Sequence, residues 1–157
     1  MPKIDIAAVP KRSGAGYPPP FDAPCAERVR QRLGNAGGLT DVGINLMQLP
    51  PGNWSSQRHW HSHEDEFVYV LEGEVVLIED EGETLLRPGD AAGWKAGVAN
   101  GHCLINRSDR DAVFLEIGTR ASREVASYPD IDLRAERDGK DQRYLHKSGE
   151  PYPGSER

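Results

Sequence analysis

The densest chemistry in the sequence lies in Arg58-His59-Trp60-His61-Ser62-His63-Glu64-Asp65-Glu66, which holds three of the five histidines in the chain. On a strand, side chains alternate between faces, so His59 and His61 point the same way. Their Cα atoms then stand roughly 6–7 Å apart, at about 3.3 Å per residue. Two imidazoles at that spacing can converge on one divalent ion through bonds of about 2.1 Å. Glu66 has the opposite parity, but the polar stretch Ser62–Asp65 reads as a turn that resets the phase. In the strand that follows, Glu66, Val68 and Val70 share a face. A carboxylate leading an apolar face is costly unless it is paired or ligates a metal. Farther along, Gly101-His102-Cys103-Leu104-Ile105-Asn106 places His102, Leu104 and Asn106 on one face. His102 is the fourth expected ligand and Asn106 a supporting residue beside it. His63 does not fit this register and reads as a supporting or surface residue.

The elements that must position these groups are short. From Gly43 to Gly118, apolar runs alternate with Gly, Pro, Asp and Asn turns. Expected strands are Gly43–Leu49, Ser56–His61, Glu66–Glu72, Glu74–Glu79, Glu83–Leu86, Ala91–Lys95, His102–Asn106 and Ala112–Gly118. Tight turns are expected at Leu71-Glu72-Gly73-Glu74, Asp80-Glu81-Gly82 and Arg87-Pro88-Gly89-Asp90. Residues 1–23 are rich in Pro and Gly, and Tyr17-Pro18-Pro19-Pro20 excludes a helix interior or a central strand. Between Asp22 and Gly34, Pro24 near the start and Gly34 at the end predict the single helix, about ten residues long. After Arg120 the chain is polar again. Ser127–Leu133 is expected to be extended, and Tyr144–Tyr152 to form a hairpin or hook. The reading is one all-β domain: an N-terminal arm and short helix over 1–42, a β-barrel over 43–120, and a C-terminal arm over 121–157 packed on it.

Bulk properties narrow the function classes. The 157 residues suffice for a core without staples. A net charge of -6 with no Lys/Arg cluster argues against nucleic acid. Cys25 and Cys103 have neither disulfide-framework nor metal spacing. No stretch reaches the roughly 20 apolar residues of a membrane span, and no signal peptide is evident, so a cytoplasmic location is expected.

Pro51-Gly52…His59-x-His61-x4-Glu66-x6-Gly73 resembles the first motif of the cupin superfamily. Gly82-x5-Pro88-Gly89-Asp90…His102-x3-Asn106 resembles the second. Two departures stand out. The gap from Gly52 to His59 is one residue longer than usual, and Lys95-Ala96-Gly97-Val98 replaces the customary proline before the last histidine. The resemblance covers about residues 43–118. It implies a double-stranded β-helix (jelly-roll) barrel with one metal in its mouth, held by His59, His61, Glu66 and His102. The whole chain, with Leu49-Pro50-Pro51-Gly52, Tyr128–Leu133 and His146–Tyr152, is similar to single-domain bacterial cupins labelled sugar-phosphate isomerases or cupin regulators.

Three imidazoles and one carboxylate suit Mn, Fe, Co, Ni, Cu or Zn alike. A metal with open positions can polarise a carbonyl, acidify water or hold a bidentate oxygen ligand. The leading expectation is therefore a metal-dependent enzyme acting on a small oxygenated metabolite such as a sugar phosphate, of isomerase type, with Glu66 essential to turnover. A ligand-sensing module without catalysis and a metal-dependent dioxygenase are the alternatives. Arg58, Arg87, Lys95 and Arg107 are the nearest cations in sequence for a phosphate, and a homodimer is expected.

Overall fold

The computed structural model describes residues 3–155. Among the described residues thirteen strands form three antiparallel sheets, with helix confined to a few short turns. The strands are β1 (Lys11–Ser13), β2 (Val29–Arg32), β3 (Val42–Leu49), β4 (Trp60–His61), β5 (Glu66–Glu72), β6 (Val75–Glu79) and β7 (Gly82–Leu86). They continue as β8 (Ala91–Trp94), β9 (Cys103–Ile105), β10 (Ala112–Thr119), β11 (Arg123–Tyr128), β12 (Leu133–Asp138) and β13 (Asp141–Leu145). The large sheet runs β1-β2-β3-β10-β5-β8, the second β13-β12-β11-β4 and the third β7-β6-β9. This is a jelly-roll of the double-stranded β-helix type, built from three facing sheets rather than one closed cylinder. Among the described residues no helix is long and apolar enough to cross a membrane.

The expected strands from 43 to 118 are present with shifted ends, except at the metal strand. Of Ser56–His61 only Trp60–His61 is ladder-paired. Upstream, polar side chains take over the hydrogen bonding: Leu104 N donates to Ser55 Oγ (2.9 Å), and Gln57 Nε2 to the Phe21 carbonyl (2.8 Å). Such local bonds compete with a regular ladder. His59 nevertheless pairs with His102, the two exchanging backbone hydrogen bonds of 3.1 and 2.9 Å.

Two expectations about the flanks are corrected. The helix over Asp22–Gly34 is replaced by a 3-10 turn at Ala23–Cys25, strand β2 and a four-residue helix α1 (Leu33–Ala36). Arg28, Arg30 and Arg32 alternate with Val29 and Gln31, a period of two that suits β2 against β3. The segment after Arg120 is no extended arm. It folds into the antiparallel meander β11–β12–β13, and β11 also pairs with β4. Tyr17 from the N-terminal segment packs on this meander, 5.6 Å from Tyr128 and 5.7 Å from Tyr144 between ring centroids.

The main core lies between the first and third sheets: Met47, Leu49, Val68, Val70, Val75, Leu77, Leu86, Leu104, Ala112 and Phe114. Asn106 is fully buried below it and ties the chain together, donating to the carbonyls of Leu49 and Arg110 at 2.7 Å each.

Candidate metal centre

Across the large sheet the inner faces line up by register. Glu66 on β5 stands opposite Gly118 on β10 and Trp94 on β8, and Gly118 stands opposite Gly43 on β3. The two glycines put no side chain of their own in front of Glu66, and the Arg120 side chain lies against Gly43. Strand β4 brings His61 to the same space from the facing sheet, and the His59–His102 bridge closes it from the side.

The four expected ligand residues meet around one carboxylate oxygen. Glu66 Oε2 lies 3.0 Å from His102 Nε2, 3.2 Å from His61 Nε2 and 3.6 Å from His59 Nε2. His59 and His61 bring their Nε2 atoms within 3.1 Å of each other. The ligand atoms of His59, His61 and Glu66 all fall within 4.8 Å of one another, a group that could hold a metal ion.

The donor chemistry fits an ion. His59 Nδ1 sits 2.8 Å from the Gln57 carbonyl, which can only accept, so the proton belongs on Nδ1 and the Nε2 lone pair faces the cluster. His102 Nδ1 faces the Asn100 carbonyl at 3.4 Å. The His102 ring lies flat on Trp94, 3.8 Å between centroids and 7° between planes. Trp94 is held in turn by Glu79, which accepts its indole N–H at 2.8 Å and the Asn100 amide at 2.9 Å. The loop that lacks the customary proline is thus pinned by side chains, and by Gly97 N donating to the His61 carbonyl at 2.9 Å.

Burial holds the His59 imidazole below its usual pKa, hence neutral and able to ligate. Burial alone would raise Glu66, but hydrogen bonds from His102, His59 and His61 outweigh it and keep the carboxyl well below the usual range. For His61 burial again opposes the charged form, yet Glu124 and Glu66 flank the ring and raise its pKa to about 10.

Glu124 is a residue that the sequence reading missed. Its Oε1 lies 3.5 Å from His61 Nδ1, a buried atom with no hydrogen-bond partner of its own. The carboxylate is fixed by the backbone N–H of Ser62 (2.7 Å) and of His63 (2.9 Å). A carboxylate behind a ligating imidazole orients the ring and raises its basicity. The signal was present: Glu124 leads the buried face Ala126 and Tyr128 of β11, as Glu66 leads Val68 and Val70. Glu64 also nears His61 and Glu124, but it is ion-paired with Arg137. His63 is exposed and bonds Ser62 Oγ at 2.7 Å, away from the cluster.

The centre opens into a cavity of about 500 Å³ between the large sheet and the β11–β13 meander. None of the cations expected from sequence proximity lines it. Arg58 is bound to Asp80 and Asp130, Arg87 to Glu74, and Arg107 to Glu83, while Lys95 is not among the lining residues. The arginines that do line it are Arg28, Arg30, Arg32, Arg120 and Arg137.

A jelly-roll whose inner face carries His59, His61, Glu66 and His102 at one open end is the arrangement that defines cupins. The cupin domain family matches residues 45–118, and the chain belongs to the cupin superfamily. It is similar over 99% of both chains, at 42% identity and a TM-score of 0.93, to a Silicibacter pomeroyi crystal structure described as a sugar phosphate isomerase from a cupin superfamily. An Acidithiobacillus ferrooxidans structure named as a candidate sugar phosphate isomerase is 34% identical over 78% of both chains, with a TM-score of 0.73. A Thermotoga maritima structure described as a predicted oxalate decarboxylase, 20% identical with a TM-score of 0.60 over 76% of this chain and 99% of its own, shares the fold. Among curated proteins none matches the chain.

Proposed function

We propose that this cupin is a metal-dependent enzyme of isomerase type acting on a small sugar phosphate, with one divalent ion held by His59, His61, Glu66 and His102. The observation that carries the reading is the convergence of three imidazole nitrogens on one Glu66 oxygen at the mouth of an open cavity. The names of the two most similar structures described above favour the same substrate class. A divalent ion bound there would polarise a carbonyl and hold two adjacent oxygens of the substrate. The chain's own part is to fix the ligands and to shape the space. Gln57 and Asn100 carbonyls set the imidazole tautomers, and Glu124 braces His61. Gly43 and Gly118 carry no side chain beside Glu66, and the Arg120 guanidinium stands 3.6 Å from where a Cβ on Gly43 would lie. One Glu neutralises half of the charge of a divalent ion, so an anionic or easily ionised oxygen ligand is favoured.

The test is to incubate metal-loaded protein with a panel of sugar phosphates, free sugars and hydroxy acids and to follow it by NMR. Turnover of an aldose or ketose phosphate that is lost in Glu66→Ala is the expected result. Binding without turnover across the panel would make the protein a sensor, and substrate-dependent oxygen uptake would make it a dioxygenase.

The assembly we propose is a homodimer. Phe67, Tyr69 and Leu71 point outward from β5 and are 41%, 38% and 40% exposed, a row of large apolar groups that a second copy would cover. Sedimentation of wild type and Phe67→Asp should give a dimer and a monomer respectively.

A further inference from the structure

The cavity has a second chemically distinct end. Arg30 and Arg32 lie on the inner face of β2, Arg30 opposite Met47 and Arg32 opposite Asn45, and Arg28 immediately precedes the strand. Arg28 is tied to backbone carbonyls, those of Gly14 (3.2 Å) and Ser55, which leave its charge unneutralised. Arg30 carries a buried Nε with no hydrogen-bond partner. Among the described residues none of the three arginines forms an ion pair. A buried cation without a counter-ion is costly, and most easily explained by a ligand that supplies one.

The carboxylates around the cavity are largely committed elsewhere. Glu64 pairs with Arg137, Glu136 with Arg134 and Arg143, and Glu124 and Glu66 serve the histidines. Asp65 accepts from Ala96 N at 2.8 Å. That leaves Glu116 facing the arginines, and its Oε1 already accepts Asn45 Nδ2 at 2.9 Å. Three guanidinium groups against one carboxylate leave a net positive end.

Reach is also favourable. The strands β2, β3, β10 and β5 are consecutive, so Arg32 and the Glu66 strand stand three spacings apart, about 14 Å at about 4.8 Å each. Arginine side chains shorten that gap from their own end. Gly43 and Gly118 share the row of Glu66, Asn45 and Glu116 share the row of Arg32, and the facing meander offers Ala126 and Ala135. One cavity thus holds both the histidine end and the arginine end, with the hydrogen-bonded pair Asn45 and Glu116 between them.

We infer that Arg30 and Arg32, backed by Arg28, form the binding site for a phosphate monoester dianion at the end of the cavity opposite the histidines. A tetrahedral dianion suits this cluster better than a carboxylate, because it can accept from several guanidinium groups at once. The inference deepens the function proposed above, on which it rests only for the other end of the ligand.

Inorganic phosphate is the probe. It is titrated into the full chain, metal-loaded and chelated, at fixed ionic strength by calorimetry, with acetate for comparison. Saturable one-to-one phosphate binding is expected in both states, with acetate at least about tenfold weaker. Arg32 is exposed, so Arg32→Gln should fold normally; it and Arg30→Gln should each weaken phosphate by about tenfold. Glu116→Gln keeps the bond from Asn45 and removes the competing charge, so it should tighten phosphate severalfold, which a purely structural role would not do. Should Arg30→Gln fail to fold, Arg32→Gln and Glu116→Gln decide the matter. Unchanged affinity in Arg32→Gln, equal binding of acetate, or phosphate binding that vanishes with the metal overturns the inference. If metal binding or turnover fails while phosphate binding persists in chelated protein, only the isomerase reading falls.

Discussion

At the scale of single residues, the site consists of ligands and of the groups that aim them. His61→Ala removes a ligand atom and should strip most of the metal, whereas His63→Ala should leave occupancy near wild type, both read by elemental analysis. Glu124→Gln removes the charge behind His61 and should weaken metal binding by about 10–100-fold. Metal binding must also displace a proton. With its pKa held at about 10 between Glu124 and Glu66, His61 is protonated at neutral pH when no ion is bound. Ligation requires the neutral ring. Binding near pH 8 should therefore release about one proton from His61, and affinity should rise with pH up to about 10. Calorimetry in buffers of different ionisation enthalpy counts that proton, and a count of zero would contradict the raised pKa. The convergence of His59, His61, Glu66 and His102 could be anticipated from the chain alone because parity within each strand is local, and a carboxylate on an apolar face is conspicuous. Glu124 leads a buried face as Glu66 does, but the partner that gives it a role, His61 on β4, is brought to it only by the pairing of β11 with β4, which alternation within one strand does not reveal.

At the scale of elements, turns decide register. Gly73 ends β5 with φ of 70°, and a Cβ there would lie 2.5 Å from the Asp111 carbonyl oxygen and 2.8 Å from Ala112 Cα. Gly52 has a similar φ of 78° but open space around it. Gly52→Ala should thus cost only about 1–2 kcal/mol for the left-handed backbone. Gly73→Ala adds a clash with backbone and should cost at least about 2–3 kcal/mol. Urea denaturation of the two variants compares them directly, and equal losses would refute the close approach. The strands of the central motif were legible from alternation and turn residues. Strand β2 was not, since Pro24 and Gly34 look like helix ends, although the alternation of its arginines carried the opposite signal. The polar C-terminal meander hid for another reason. Its inner face joins the buried cluster of Ala126, Tyr128, Leu133, Ala135 and Tyr144 to the polar Glu124, Arg137 and Gln142, so its apolar stripe is short and interrupted.

At the scale of the molecule, the ion would staple together three parts of the sequence: β4, β5 and the turn before β9. A ligand that binds only the folded chain adds stability by mass action, about 3–4 kcal/mol at 100–1,000 times its dissociation constant. Chelated protein should melt at a lower temperature than metal-loaded protein, and the gap should close in His61→Ala. Identical melting curves for both forms of the wild type would mean that no tight site exists. The cavity itself could not be read from the chain, because it arises between two sheets whose facing is set only when they pack. Its walls have a consequence for how such a chain can change. The histidines and Glu66 fall inside the matched segment 45–118, except for the brace Glu124, while β2 and the β11–β13 meander lie outside it. Reactivity and selectivity are thus encoded in separable stretches. Exchanging residues 11–32 and 121–145 for those of another superfamily member, with Glu124 retained, would be a route to a new substrate on an inherited reactive centre.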